Sequence, residues 1–519
     1  MAATAHPVDS GASTRRMLVT VCAMSATIMQ ALDTTIANVA LPYMQGSLSA
    51  SLDQINWVLT SYIVASAILT APIGWVADRF GRKKLFIVCA AGFTVASVMC
   101  ALSQNLTEMV LSRLLQGAFG AALVPLSQTV LLDAYPVEQR GSAMAIWGIG
   151  VMLGPIMGPT LGGWLTDNYS WHWVFLINLP IGIITVIGLS IFMDETEKRE
   201  GMRFDWFGFM ALAIGIGAMQ LMLDRGEDQG WFGSSEIIIE LIISVAGFYY
   251  FFAHSLTTAA PFVRFELFKD RNFVGGCIFM VVLGVVLFGT MALITPYMQN
   301  LLGYPILTAG FLLGARGVGT LFGMLLVGRL LKITEARNLV CVGLLLTAGS
   351  LYQMTGFTTD TTANTIVVLG VIQGFGLGLV FVPLSTVAFM TLPGELRTSG
   401  TAILTLVRNI GSSVGISMVI ATLTNKGILM HARLVEDVTP FNNALAMPNV
   451  TRTINVNTDM GRAMLDQIVT QQATVIAYDN IFMLLTWLTI AMIPFLLVIG
   501  SSKVPSPSRG QSEHPAVID

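Results

Sequence analysis

RLLQGAFGAALVPLSQTVLLDAYPVEQRG, residues 113–141, has a counterpart in VIQGFGLGLVFVPLSTVAFMTLPGELRTSG, residues 371–400. Gln116-Gly117 matches Gln373-Gly374 and Arg140 matches Arg397, both at an offset of 257. The same offset carries Gly154 onto Gly411 and Gly158 onto Gly415. A weaker echo relates Gly74–Arg82 to Gly328–Arg337. The shared order of Q-G, P-L-S and P-x-E-x-R is too specific for chance similarity between glycine-rich helices. The chain is therefore expected to hold two copies of one unit with the same topology.

Both copies sit in an apolar chain. Of 519 residues, 54% are hydrophobic and 11% charged, against about 25% charged in ordinary soluble proteins. The charges fall in short clusters between long apolar runs, as in a protein whose solvent is mainly lipid. The net charge of −3 says little about partners, and no run of like charge suggests nucleic acid. A membrane helix needs about 20 largely apolar residues. Fourteen runs qualify: 17–41, 55–77, 85–104, 109–133, 142–164, 171–193, 205–223, 236–253, 273–298, 306–331, 338–358, 364–390, 400–424 and 476–501. The first is too long for the apolar region of a signal peptide and is expected to be retained. Trp57, Trp75, Trp164, Trp171, Trp173, Trp206 and Trp231 fall at or near span ends, where amphipathic rings favour the interface.

With the N-terminus inside, cytoplasmic segments hold 19 of the 27 Lys and Arg, so both termini are expected to be cytoplasmic. The fold class this implies is an all-α integral membrane protein. Its expected parts are a cytoplasmic tail (1–16), a six-helix half (17–193), an inserted helix pair with linkers (194–272), a second six-helix half (273–501) with an outer loop at 425–475, and a second tail (502–519). Repeated halves are a known plan for transporters, which place substrate at the repeat interface.

GWVADRFGRKK, residues 74–84, joins a glycine-rich helix end to an acid and a basic cluster. It resembles the loop between spans 2 and 3 of the major facilitator superfamily. That resemblance implies a conformational gating role for Gly74, Asp78, Arg79, Gly81 and Arg82. Asp78 would face the N-terminus of span 13, which carries partial positive charge. GVMLGPIMGPTLGG, residues 150–163, resembles the antiporter motif of span 5, here Gly150, Gly154, Pro155, Gly158, Pro159, Gly162 and Gly163. Its small residues lie mostly on one helix face and let helices approach closely, and its prolines allow a bend. LDTTIANVALP at 32–42, LDRG at 223–226 and the VTPFN and VTQQ segments at 438–442 and 469–472 are similar to the 14-span drug:proton antiporters of the EmrB type. This resemblance covers nearly the whole chain. It implies a bacterial inner membrane, a periplasmic adaptor and an outer-membrane channel. The second copy of the span 2–3 loop departs from the pattern, with Lys332 where an acid would match Asp78.

Charges within spans suggest the mechanism. A charged side chain near the bilayer centre costs roughly 2.5–3.5 kcal/mol, so Asp33 in span 1 calls for a reason. A buried carboxyl there is suited to taking a proton from one side and releasing it on the other. Arg113 in span 4 is the natural partner: each residue lies roughly 6–12 Å below the outer boundary at about 1.5 Å per residue. Arg316 and Arg408, in spans 10 and 13, are candidates for lining a substrate cavity, as are Gln30 and Gln116. An apolar cavity rich in Met and Phe would suit promiscuous binding.

No phosphate-loop motif occurs, so a proton gradient is the expected energy source, with no cofactor. No metal or nucleophile constellation suggests an enzyme, and the five cysteines, all in apolar runs, read as small buried hydrophobes. The expected function is a proton-coupled antiporter exporting amphipathic or hydrophobic drugs and toxic compounds. A dedicated exporter of one endogenous metabolite or siderophore is the alternative. The span 5 motif speaks against an uptake symporter.

Overall fold

The computed structural model describes residues 10–497 apart from 137, 138, 197, 200, 202, 259, 260, 332, 440, 441, 443–446 and 448–457. Residues 1–9 and 498–519, Lys332 and the middle of the outer loop therefore lie outside the described residues. Among the described residues every regular element is a helix, as a lipid solvent requires, because every backbone donor must be satisfied within its own segment. The first half comprises α1 (Ser10–Ser47), α2 (Trp57–Thr70), α3 (Ile73–Phe80), α4 (Arg82–Leu102), α5 (Leu106–Gly120), α6 (Leu123–Ala134), α7 (Arg140–Asn168) and α8 (Asn178–Phe192). An antiparallel pair follows, α9 (Trp206–Arg225) and α10 (Ser235–Thr257). The second half comprises α11 (Arg271–Pro296), α12 (Ile306–Leu330), α13 (Ala336–Met354), α14 (Ala363–Met390), α15 (Arg397–Glu436) and α16 (Asp459–Ala491).

A helix stands at each of the fourteen expected positions, but not all of them qualify as spans. Among the described residues, 12 helices are long and apolar enough to cross a membrane, or 13 if α2 and α3 count as one. The expected span at 338–358 is α13, which is not among them; Arg337, Asn338, Ser350 and Gln353 dilute its apolar run. The span expected at 55–77 is bent by 59° between α2 and α3. Pro72 sits at the break, where its missing N–H and its ring disrupt the helical ladder. Between α5 and α6 the ladder breaks where Pro125 has no N–H to offer the carbonyl four residues back, at Ala121, yet 106–134 remains one span.

The outer loop expected at 425–475 is helical on both flanks. At 40 residues, α15 is about 60 Å long, roughly twice the hydrocarbon thickness of about 30 Å. It pairs with the extended start of α16, where His431 Nε2 lies 3.0 Å from Asp466 Oδ1.

The repeat is visible in the packing. α7 lies along α1 in the first half, and α15 along α11 in the second. A Cβ on Gly154 would run into the main chain of Ala31, and one on Gly411 into that of Val281. One turn on, Gly158 meets Thr35 and Gly415 meets Val285. The halves touch where α7 packs on α12 and where α15 packs on α2, α3 and α6. The inserted pair leans on this second seam: Asp224 accepts from the Thr60 hydroxyl of α2, and the Leu223 carbonyl accepts from Ser417 of α15.

The end of the bundle that carries the basic loop is tied across the halves. Asp133 pairs with both Arg82 and Arg397. Arg199 pairs with Glu395, and the hydroxyls of Thr129 and Thr401 lie 2.8 Å apart.

Candidate functional site

Asp33 and Arg113 meet, as their depths in the two spans suggest. Arg113 Nη1 lies 2.6 Å from Asp33 Oδ2, with both side chains essentially fully enclosed. Removing one partner of such a pair leaves an uncompensated charge, at a typical cost of about 3–5 kcal/mol. The second carboxylate oxygen is also held: Gln116 Nε2 donates to Asp33 Oδ1 at 2.7 Å, and Asn178 Nδ2 donates to it at 3.2 Å. Arg113 donates further to the Val58 carbonyl at 2.9 Å and to Gln116 Oε1 at 2.7 Å. The Tyr62 ring lies 4.2 Å from the guanidinium, within cation–π range.

Four helices thus meet at one carboxylate. α1 brings Asp33, α5 brings Arg113 and Gln116, α8 brings Asn178, and α4 brings Ser97, which accepts from Asn178 at 3.0 Å. Gln116 was expected to line a cavity. It is fully buried, and both ends of its amide serve the Asp33–Arg113 pair. Gln30 is half-buried and donates to the Tyr62 hydroxyl at 3.3 Å. Asn178, Ser97 and Tyr62 are members that charge alone does not reveal.

The glycine motif lies against the same helix. Gly150, Gly154, Gly158 and Gly162 face Met24, Ala31, Thr35 and Ile36 of α1, and Thr35 Oγ1 donates to the Gly154 carbonyl at 3.0 Å. The other side of α7 meets the second half. Gly163 faces Leu307, Thr160 and Pro159 face Gly310, and Ile156 fills the space beside Gly317. The side chain of Pro155 lies outside the described residues. α7 is therefore a single helix in contact with both the helix of Asp33 and the opposite half.

At the basic end, Asp78 has an ion-pair partner that the sequence alone did not single out. Its Oδ2 pairs with Arg264 Nη2 at 2.7 Å, and its main-chain carbonyl accepts from the Arg199 amide. The first turn of α15 is approached by Gly74, where a Cβ would collide with Ser399. Gly81 ends α3 at φ +91°, a conformation that favours glycine, with the Glu195 carboxylate where a Cβ would stand. Arg79 is half-buried on the same helix.

The two second-half arginines are unlike Arg113. Arg316 is buried, and Nη2 donates to the Leu287 carbonyl at 3.2 Å, but Nε and Nη1 have no hydrogen-bond partner. Among the described residues no carboxylate pairs with it. Arg408 is half-buried, and its Nε likewise has no partner.

Residues 23–416 match the Major Facilitator Superfamily. The chain is 35% identical over 497 residues to the multidrug export protein EmrB of Escherichia coli (strain K12), covering 95% of this chain and 96% of that one. It is 35% identical to the fatty acid resistance protein FarB of Neisseria gonorrhoeae, covering 93% of this chain and 96% of the other. In structure it is similar to the human organic anion transporter MFSD10 at a TM-score of 0.59 and 13% identity, over 91% of this chain and 99% of that one.

Proposed function

Because this chain belongs to the Major Facilitator Superfamily, we propose that it is a proton-driven exporter of amphipathic and hydrophobic toxic compounds. It is a multi-pass protein of the bacterial inner membrane, with relatives named for multidrug export and fatty acid resistance. The observation that carries the proton half of the proposal is the Asp33 carboxylate, buried within a span and held by Arg113, Gln116 and Asn178. Ionised, it pairs with Arg113. A proton arriving from the outer side neutralises it and frees the arginine. α1 then no longer needs its hold on α5, and α7 transmits the adjustment to α12 of the opposite half. The substrate leaves on the outer side as that proton is taken up; after the halves turn inward, Asp33 regains Arg113 and gives up the proton to the cytoplasm, where the next substrate enters.

The basic end is cytoplasmic on this reading, since Lys and Arg favour that side. The ion pairs of Asp133, Glu395 and Asp78 then close the inner side and open when the halves rock. The two halves, 17–193 and 273–501, act about a central cavity, and the inserted pair rests on one seam.

The projecting ends of α15 and α16 serve as a docking stalk for a periplasmic adaptor leading to an outer-membrane channel. Support comes from apolar side chains left exposed there, beyond the length a bilayer needs: Ile428 at 66% and Met460 at 78%. Shortening the stalk should abolish cross-linking to the adaptor without loss of the protein from the membrane.

The decisive experiment uses everted membrane vesicles. Adding ethidium or another candidate drug to vesicles holding an imposed proton gradient should collapse part of that gradient. Absence of proton movement across a broad set of drugs would sink the antiport reading.

A further inference from the structure

We propose that Arg316 is the anion-binding subsite of the second half, taking the carboxylate or similar headgroup of an amphipathic substrate. The proposal rests on the export reading above and names a substrate class for it. Arg316 lies near the middle of α12, about 15 Å from its outer end, so its guanidinium is deep in the apolar region. Arginine stays protonated in proteins. A buried cation is normally paired, because desolvation is otherwise uncompensated. Here one hydrogen bond holds the group by Nη2 to the Leu287 carbonyl, while Nε and Nη1 find no acceptor.

The repeat shows what is missing. In the first half a glutamine and an arginine hold Asp33. In the second half the glutamine is kept as Gln373, next to Gly374, whose backbone abuts that of Arg316. The arginine comes from α12 instead of the helix of the glutamine. The position matching Asp33 is Leu283, because Val281 and Val285 meet Gly411 and Gly415 as Ala31 and Thr35 meet Gly154 and Gly158. Gln373 is fully buried, reaches Thr290 only at 3.5 Å, and its Oε1 has no partner. The second half thus keeps an arginine and a glutamine able to receive an acid, and lacks the acid.

The surroundings suit the rest of an amphipathic molecule. One turn toward the basic end, an apolar cleft between α11, α13, α14 and α16 is lined by Leu283, Val286, Leu344, Leu377 and Val380. Leu283 and Val286 precede by one turn the residues that meet Arg316 and Gln373, namely Leu287 and Thr290. A headgroup on Arg316 would therefore place the start of an alkyl or aryl tail along this stripe.

The test uses the full-length protein in zwitterionic lipid nanodiscs, with empty nanodiscs as background. The probes are 11-(dansylamino)undecanoic acid and its primary amide, which share a tail and differ in charge. The acid should bind the wild type about tenfold or more tightly than the amide. Arg316→Gln should erase that preference, and Arg316→Lys should retain part of it. Equal affinities on the wild type, or a preference that survives Arg316→Gln, overturn the proposal. The wild-type comparison stands even if a variant fails to fold. If anionic lipid in the nanodisc abolishes the preference, a lipid headgroup is the occupant and the substrate assignment falls. Ethidium-driven proton movement separates the two readings: if it persists while the acid shows no preference, only the subsite is wrong. If it is absent while the acid is preferred, the subsite holds and the export reading fails.

Discussion

The two halves build one seam twice and fill it differently. In the first, Ala31 and Thr35 of α1 lie under Gly154 and Gly158 of α7; in the second, Val281 and Val285 of α11 lie under Gly411 and Gly415 of α15. Between those contact points stands Asp33 in one case and Leu283 in the other. The close approach of backbones fixes the seam, so the residue between the contacts is left free to carry chemistry. The first half satisfies its buried ions internally, through Arg113, Gln116 and Asn178. The second leaves Arg316 with unpaired donors. One frame therefore yields a self-contained proton site and an arginine without its own acid.

The largest effect should come from Asp33→Asn, which keeps the size of the side chain and removes its titration. Drug-driven proton movement in everted vesicles should fall to the level of vesicles lacking the protein, while insertion is unchanged. Normal movement would break the comparison, because the proton would then be carried elsewhere.

A pair of variants separates the arginines. Arg113→Gln leaves the Asp33 carboxylate buried without its counter-charge and should lower stability by about 3–5 kcal/mol, read as a fall in Tm of the purified protein. Arg316→Gln removes a charge that has no acid, and its Tm should be unchanged or raised. Equal losses in the two would show that Arg316 is paired within the chain after all.

The smallest expected difference concerns the seams. Gly154→Ala and Gly411→Ala should each cost about 1–3 kcal/mol through overpacking, since both put a Cβ into a neighbouring main chain. Only the first should also weaken proton coupling beyond its effect on Tm, because only that seam flanks an acid.

Much of the site was legible because ions are conspicuous in an apolar run. Asp33 and Arg113 stand out for that reason, and their similar depths in spans 1 and 4 suggested contact. Asn178, Ser97 and Tyr62 were not legible, because neutral polar residues recur in many of these helices and nothing local says which face a carboxylate. The partner of Asp78 was hidden differently. Arg264 is 186 positions away and follows the inserted pair, so a loop reading directed at span 13 passes over it. The helical ends of α15 and α16 were masked by their polarity, since a span search sees only the portion that suits lipid.

By itself the sequence determined where the chain is apolar enough for lipid, that it repeats, and that one acid is buried in the first repeat. These follow from the transfer energy of each segment and from its own residues, so no knowledge of neighbours is needed. Only the tertiary structure decided which buried charge has a partner. A Coulombic or hydrogen-bonded pair depends on separations of a few ångströms between helices far apart in sequence. At that range Arg113 finds Asp33, Asp78 finds Arg264, and Arg316 finds a single backbone carbonyl.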